Sequence, residues 1–405
     1  MKFPLPPNTL PTISLSSDDK RMIEAVADAV VKDTFQQYSE HLTLHNGAID
    51  KKRWKKIKQR EHLRVYKQRK SNTPTDSYDG ERTTMSPMLV LGSIPGTLDD
   101  VMYGMLSPSV EEMQLKTAYM EDGIVDWSLL SSVIKPSEQD PFRELSIKWG
   151  VKRHPVLVGA VMRARDGVFI DSSGISYLPN GERIGYHLYH SVDIPEIHEL
   201  TDFHIVRGRL SICNLFRQRT ENSVETFGCG MVSPMGDAPA SLTAISSAEA
   251  TIAVFELVHY AEMKKLTRIV CSAQQQEPWL RSVTDSSSFG LGSSFSTVNV
   301  ALSSVPASVP SKVCGVCSQS VGGGLSFARS KEKHCRICLI RLCSRCRVCK
   351  TIYMPSEVEK QLSSTKMTFC SRCIQSVYSA SSTKFAVLDA LAAEGKFVDY
   401  SEVLR

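Results

Sequence analysis

No run of about 18 apolar residues interrupts this sequence, so no membrane-spanning helix is expected. The opening stretch MKFPLPPNTLPTISL is broken by prolines and does not read as a signal peptide. There is no G-x-S-x-G elbow and no phosphate loop ending in Gly-Lys-Ser/Thr, which removes the commonest signatures of serine hydrolases and nucleotide hydrolases. His198-Glu199 is followed by His204 at the wrong spacing for a zinc-protease helix, whose ligands must sit one turn apart. His187, His190, His198 and His204 therefore read as strand and loop histidines, and nothing supports an enzyme. Internal repeats are absent too. Between Ser286 and Ser311 there is no charged residue, and Ser, Gly and Val dominate, which is the composition of a flexible linker.

What is present begins with size. The 405 residues, 42% hydrophobic and 22% charged, leave room for two or three domains with a real core. Of 12 cysteines, nine lie between Cys314 and Cys373, and Cys213, Cys229 and Cys271 are scattered. The scattered three are expected to be core or surface thiols. In a reducing cytosol, where the chain is expected to reside, clustered cysteines serve as metal ligands more often than as disulfides. The net charge of +5 hides an asymmetry. Residues 51–70 hold eleven basic residues against one acidic, residues 329–350 hold eight against one, and the remainder is net acidic. Two such stretches favour anionic partners. Around 329–350 no aromatic residues are interleaved to stack bases, which argues against nucleic acid. The 51–70 stretch is expected to turn Trp54, Leu63 and Val65 inward while its cations face solvent.

The pattern along the chain predicts a helix over 17–41, capped by Ser17 or Asp18, with Met22, Val26, Val30 and Phe35 at helical spacing. Ile184, Tyr186, Leu188, His190 and Val192 alternate as in a half-buried strand, and Pro179-Asn180-Gly181 before them supplies a hairpin turn. A second hairpin is expected from Arg207–Phe216 into Val224–Val232, turning near Glu221-Asn222. Asp237-Ala238-Pro239 is expected to open one helix ending near Leu266, its apolar face carrying Ile245, Ala248, Ile252, Phe255 and Val258. Residues 382–394 are expected to form a short helix.

This order of elements, with WKKIKQREHLRVYKQR, GYHLYHSVDIPEI and SPMGDAPASL at the matching places, resembles START lipid-transfer domains over about 250 residues. The resemblance implies an α+β helix-grip fold, a sheet closing on a last helix around an apolar cavity for a lipid or sterol. The alternative is a cavity filled by the protein's own side chains.

The clustered cysteines form Cys-x-x-Cys pairs: Cys314/Cys317, Cys335/Cys338, Cys343/Cys346 and Cys370/Cys373, with Cys349 able to replace Cys343 as partner of Cys346. Two such turns complete a tetrahedral site, so four pairs imply two Zn²⁺ ions. The segment KEKHCRICLIRLCSRC resembles the heart of a FYVE zinc finger: His334, Cys335, Arg336, Cys338 and the gap to Cys343 match. The resemblance implies a cross-brace, the first pair sharing one ion with the third and the second with the fourth, and leaves Cys349 free. It also implies that Lys331, Lys333, His334 and Arg336 meet phosphatidylinositol 3-phosphate, and that Leu325 and Phe327 enter the bilayer. Departures are Lys331, Glu332 and Lys333 in the basic motif, Thr368-Phe369 before the last pair, and Leu339 where the family has Gly.

The organisation expected is thus a START-like helix-grip domain over 15–270, a linker over 271–312, a FYVE-type binuclear zinc finger over 313–376, and a tail over 377–405. The function expected is non-enzymatic lipid binding at a phosphoinositide membrane surface, in the cytoplasm and peripherally on endosomes. The alternative is a finger that docks proteins, as an adaptor or ubiquitin-ligase module.

Overall fold

A computed structural model describes residues 3–6, 9–69, 86–153, 163–233, 235–236, 240–276, 313–321, 334–355 and 362–404. The chain divides into two compact units, residues 1–262 with 381–398 and residues 263–380 with 399–405. The tail expected after residue 376 is thus shared between them.

The first unit opens with helix α1 (Ser17–Thr43). Its cap is Ser16, one residue before the expected position; its hydroxyl accepts from the Asp19 N–H while the Asp19 carboxylate accepts from the Ser16 N–H. That is a capping box with Asp in place of Glu. The face that packs is Ile23, Ala27, Val31, Thr34 and Tyr38, one residue on from the expected one, and Met22 and Val26 are exposed. Small Ala27 and polar Thr34 and Tyr38 conceal the true stripe.

The strands that follow are β1 (Trp54–Arg60), β2 (Leu63–Gln68), β3 (Ser86–Pro95), β4 (Ile124–Ile134), β5 (Glu144–Lys152), β6 (Arg165–Tyr177), β7 (Arg183–Ser191), β8 (Val206–Arg207), β9 (Arg209–Thr220) and β10 (Ser223–Ser233). They form one sheet in the order β1-β2-β3-β10-β9-β7-β6-β5-β4, every neighbour on this path antiparallel, with β8 beside β6. The α+β class expected from the sequence is the observed one. Both expected hairpins are present, the first turning at Gly181 with φ +80°, a left-handed conformation that glycine adopts without a Cβ clash. The basic stretch is an edge hairpin. Leu63 and Val65 are fully buried, and Lys58 and Arg60 pair with Glu249 and Glu256.

Successive side chains of a strand face opposite sides, and here both sides are covered. Leu145, Ile147, Trp149, Ile170, Ile184, Leu188 and Leu215 face α1 and form the main core. The opposite face of the sheet meets α2 (Leu98–Met105), α3 (Val110–Met120) and α4 (Ala240–Ile252), the last continued by a 3-10 turn (Ala253–Glu256) into α5 (Leu257–Gln276). The single helix expected to end near Leu266 is therefore broken at 253–256 and runs on to Gln276. Ile245 is exposed, while Ala248, Ile252, Val254 and Leu257 are buried; the opening Asp237-Ala238-Pro239 lies outside the described residues. By length and hydropathy 242–273 is long and apolar enough to cross a membrane, yet Leu257, Tyr260, Ala261 and Leu266 in it are buried against protein.

The second unit holds the cysteine segment, a hairpin of β11 (Arg347–Pro355) and β12 (Leu362–Cys370), and α6 (Ser371–Ser379). Its apolar core joins α5 to the hairpin and α6: Met263, Leu266, Ile269, Val270, Leu342, Ile352, Met367, Phe369 and Val377 are buried. Lys265 of α5 donates to the carbonyls of Tyr378 and Ala380 at 3.1 and 2.9 Å, which satisfies acceptors left open at a helix C-terminus.

Helix α7 (Ser382–Ala393) belongs again to the first unit, where it covers α2. Phe385 is fully buried, Tyr103 donates to Asp389 at 2.9 Å, and Ser382 and Thr383 donate to Asp100 and Asp99.

Candidate functional site

A cavity of about 570 Å³ lies in the first unit between the sheet and the stretch from α4 to the start of α5. Trp127, Phe169, Ile212, Val232, Ile252 and Leu257 supply apolar wall. Room is made partly by Gly150: a Cβ there would come within 2.8 Å of the Trp127 ring. The helix break at 253–256 turns Val254 and Leu257 toward the same space.

The cavity is not apolar throughout. At one region of its wall the register brings together charged residues from three strands and a helix. Lys148 of β5 reaches Glu144 and Asp171 at 2.6 Å each and Ser107 at 3.2 Å. The other Asp171 oxygen lies 3.0 Å from His187 Nε2. Lys116 of α3 donates to the Met105 carbonyl at 3.0 Å. Lys116, His187 and Tyr189 line the cavity itself. All of Glu144, Lys148, Asp171 and His187 are at most 2% exposed, where an unpaired charge would cost several kcal/mol.

The ionisation of the group follows from these contacts. Burial pushes the Asp171 carboxyl up, but Lys148, and then the His187 hydrogen bond, outweigh it and hold the acid well below the usual carboxylate range. Burial would deprotonate Lys148, but Asp171 and Glu144 raise it above the ordinary lysine value. Lys116 lacks such close carboxylates, and burial brings it down to about 8 against the pull of Asp171. His187 is lowered by burial, with Asp171 opposing, so the imidazole is neutral near pH 7. Tyr189 is pushed well above the phenol range, first by burial and then by Asp171.

Of these groups only His187 stands out in the sequence, and there it reads as a strand histidine. A signal for the others exists: Glu144 and Lys148 alternate with the apolar Leu145, Ile147 and Trp149, and Asp171 ends the apolar run Val168–Ile170. The four histidines do not converge. His190 bonds Ser211 at 2.9 Å on the α1 side of β7, and His198 and His204 are exposed loop residues.

In the second unit the structure gathers Cys314, Cys317, Cys343 and Cys346 into one cluster and Cys335, Cys338, Cys370 and Cys373 into another, the sulfurs of each within 4.8 Å of one another. First pair stands with third, second with fourth. Cys317 and Cys343 sulfurs are 3.7 Å apart and Cys338 and Cys370 sulfurs 3.8 Å, far beyond a disulfide bond. A tetrahedral zinc with ~2.3 Å bonds has sulfur–sulfur edges of about 3.8 Å, so the donor sets fit two zinc ions. Cys349 belongs to neither cluster; its sulfur lies 3.9 Å from the Thr368 hydroxyl.

Local backbone explains how each pair closes. Ser318 and Leu339, each directly after the second cysteine of a pair, have φ +57° and +59°, and their N–H groups donate to the carbonyls of Cys314 and Cys335 at 2.8 and 3.0 Å. The two knuckles are copies of one turn. Leu339 occupies its left-handed position without glycine's freedom, at a cost of about 1 kcal/mol. Cys370 caps α6, its sulfur 3.3 Å from the Cys373 N–H. The Cys335 thiol is held far below its ordinary value by the Cys338 and Cys373 thiols, against burial. Of the residues expected to touch lipid, His334 is exposed and bridges to Arg341, and Arg336 is half-buried beside the second cluster, its N–H donating to Thr368. Lys331, Lys333, Leu325 and Phe327 lie outside the described residues.

No family model matches the sequence, and no curated protein matches it. Among solved structures the chain is similar to human StAR-related lipid transfer protein 5, at 13% identity and a TM-score of 0.39 over 59% of this chain and 97% of that one. It is also similar to human STARD10, at 13% identity and a TM-score of 0.37 over 67% and 90%. A third likeness is to the lipid transfer and protein localization domain of human StarD13, at 11% identity and 0.36 over 57% and 95%.

Proposed function

We propose that this chain is a non-enzymatic lipid-binding protein of the START-like kind, holding one lipid or sterol in the cavity of its first unit. The observation that carries the reading is the cavity itself: about 570 Å³, with apolar wall, between a sheet and the helical stretch that covers it. That volume lies inside the range of small-molecule sites. Burial of apolar ligand surface contributes roughly 25 cal/mol per Å², so no reactive group is required. The test is exchange of the purified full chain against vesicles carrying labelled sterol or fatty alcohol. Stoichiometric uptake, lost when Ile212→Trp fills the cavity, supports the reading; failure of the intact chain to take up any of them removes it.

The second unit, loaded with two zinc ions, is proposed to bring the chain to a phosphoinositide membrane as a divergent FYVE finger. Charge supports this. From His334 to Ala380 the sequence holds eight Lys or Arg against two Glu. Two zinc ions with four thiolates each offset about four of those charges, and a positive surplus remains to meet lipid phosphates. Sedimentation of the full chain with vesicles of single phosphoinositides tests it. Phosphatidylinositol 3-phosphate should be preferred and His334→Ala should weaken retention; equal retention on neutral vesicles leaves the adaptor reading in its place.

A further inference from the structure

The polar wall of the cavity specifies more than an apolar ligand, and the specification comes from one tautomer. Asp171 is an ionised carboxylate held by Lys148; it can only accept a hydrogen bond. The contact at 3.0 Å therefore requires the proton of the neutral imidazole on His187 Nε2, and Nδ1 is left as a bare acceptor. No described group hydrogen-bonds to Nδ1, and His187 lines the cavity.

The neighbours of this acceptor complete the picture. Directly opposite on β9 stands Asn214, also part of the cavity wall, 4% exposed, with its Oδ1 unpartnered. Tyr189, two residues from His187 on the same face, packs its ring edgewise on the imidazole at 4.3 Å, and its hydroxyl has no partner among the described residues. No cation is left over beside His187: Lys148 and Lys116 stand against Glu144 and Asp171, and Asp122 also acts on Lys116 and Tyr189. An ionised head group entering here would add an uncompensated charge in a site without bulk water. It would also meet the Nδ1 lone pair and the Asp171 carboxylate.

Resting on the lipid-binding reading above, we infer that the cavity selects an uncharged amphiphile whose alcohol hydroxyl leads, donating its proton to Nδ1 of His187. A hydroxyl both donates and accepts, so it can satisfy the imidazole and still receive a hydrogen bond from Tyr189. A ketone of the same skeleton offers no donor to Nδ1, and a sulfate or carboxylate offers only charge.

The test uses the delipidated full chain, a neutral fluorescent apolar probe in the cavity, and displacement by three compounds of one skeleton: cholesterol, its 3-ketone and its 3-sulfate. Cholesterol should displace the probe at about tenfold lower concentration than the ketone, as one neutral hydrogen bond implies, and the sulfate should be weakest. His187→Phe keeps the ring area and removes the acceptor; it should abolish the preference for alcohol, read as the ratio of cholesterol to ketone needed to displace the probe. Asp171→Asn offers an amide that can donate to Nε2, moves the proton to Nδ1, and should reverse the preference toward the ketone. Sulfate binding as tight as cholesterol overturns the inference, as does a preference that survives His187→Phe. Either result with the probe still bound leaves the lipid-binding reading standing, whereas no binding of probe or sterol overturns both.

Discussion

The two units bury ionisable groups in opposite ways. In the first, Lys148 is enclosed by two carboxylates at 2.6 Å and the charges cancel among protein groups. In the second, eight cysteine sulfurs meet in two clusters of like kind; as thiolates they repel one another and can be held only by a cation between them. The first unit also has an extended core, from Ile23 on α1 to Phe227 on β10, while the second has a smaller one, from Met263 on α5 to Val377 on α6, beside its clusters. One unit is a fold with a charged inset; the other carries two cysteine clusters that fit a metal.

The sharpest way to break this contrast is metal removal. Chelation of the full chain should abolish hydrogen-exchange protection over 313–380, because structural zinc contributes ~10 kcal/mol or more of folding energy. Protection of β5 to β9 should persist. Native mass spectrometry should count two zinc ions; Cys335→Ser should lose at least one, and Cys349→Ser should keep both. Loss of zinc from Cys349→Ser would make Cys349 a ligand and break the pairing of the clusters.

Next in size is the first unit's own charge cluster. Lys148→Met leaves Glu144 and Asp171 buried without their cation and should destabilise that unit by about 3–5 kcal/mol in denaturant melts, with zinc content unchanged. A change below about 1 kcal/mol would mean that water reaches the pair.

Acid should separate the units. The folded Asp171 value lies below the unfolded ~3.9, so its stabilisation is complete above about pH 4 and is lost as pH falls through the lower folded value. His187 is lowered from ~6.5; the unfolded chain binds its proton first, so this smaller contribution fades as pH drops below about 6.5. Zinc thiolates compete with protons, and metal should leave at a higher pH than the sheet melts. Circular dichroism followed with a zinc indicator from neutral pH down to about pH 1 would show two separate transitions, and a single one would refute the contrast. The smallest effect is expected at Leu339, exposed at φ +59°. Leu339→Gly should tighten zinc retention against a chelator by about 0.5–1 kcal/mol, and weakened retention would show that the leucine side chain is needed there.

Much of the second unit is legible in the sequence. A Cys-x-x-Cys turn is a local object: four consecutive residues bring two sulfurs together, and the spacing of Cys314, Cys335, Cys343 and Cys370 announces four of them. The hairpins at Gly181 and Glu221-Asn222 are local in the same way, since turn residues and strand alternation act over a few positions. The sequence misleads where a local pattern has two solutions. On α1, Met22-Val26-Val30 and Ile23-Ala27-Val31 are both helical stripes, and only packing on the sheet chooses the second.

The sequence by itself thus determined the Cys-x-x-Cys pairs, the strand hairpins and the α+β class, because each rests on chemistry between near neighbours along the chain. Only the tertiary structure decided which face of β7 lines the cavity. The alternation Ile184, Tyr186, Leu188 describes a strand with one buried face, yet the other face bears His187 and Tyr189 and is covered as well. Nothing in a strand of nine residues states what lies opposite it. The Asp171–His187 contact follows from the register of β6 on β7, and the approach of Lys148 and Lys116 from β5 and α3. Such convergence of distant residues is set by the packing of the whole sheet, not by spacing along the chain.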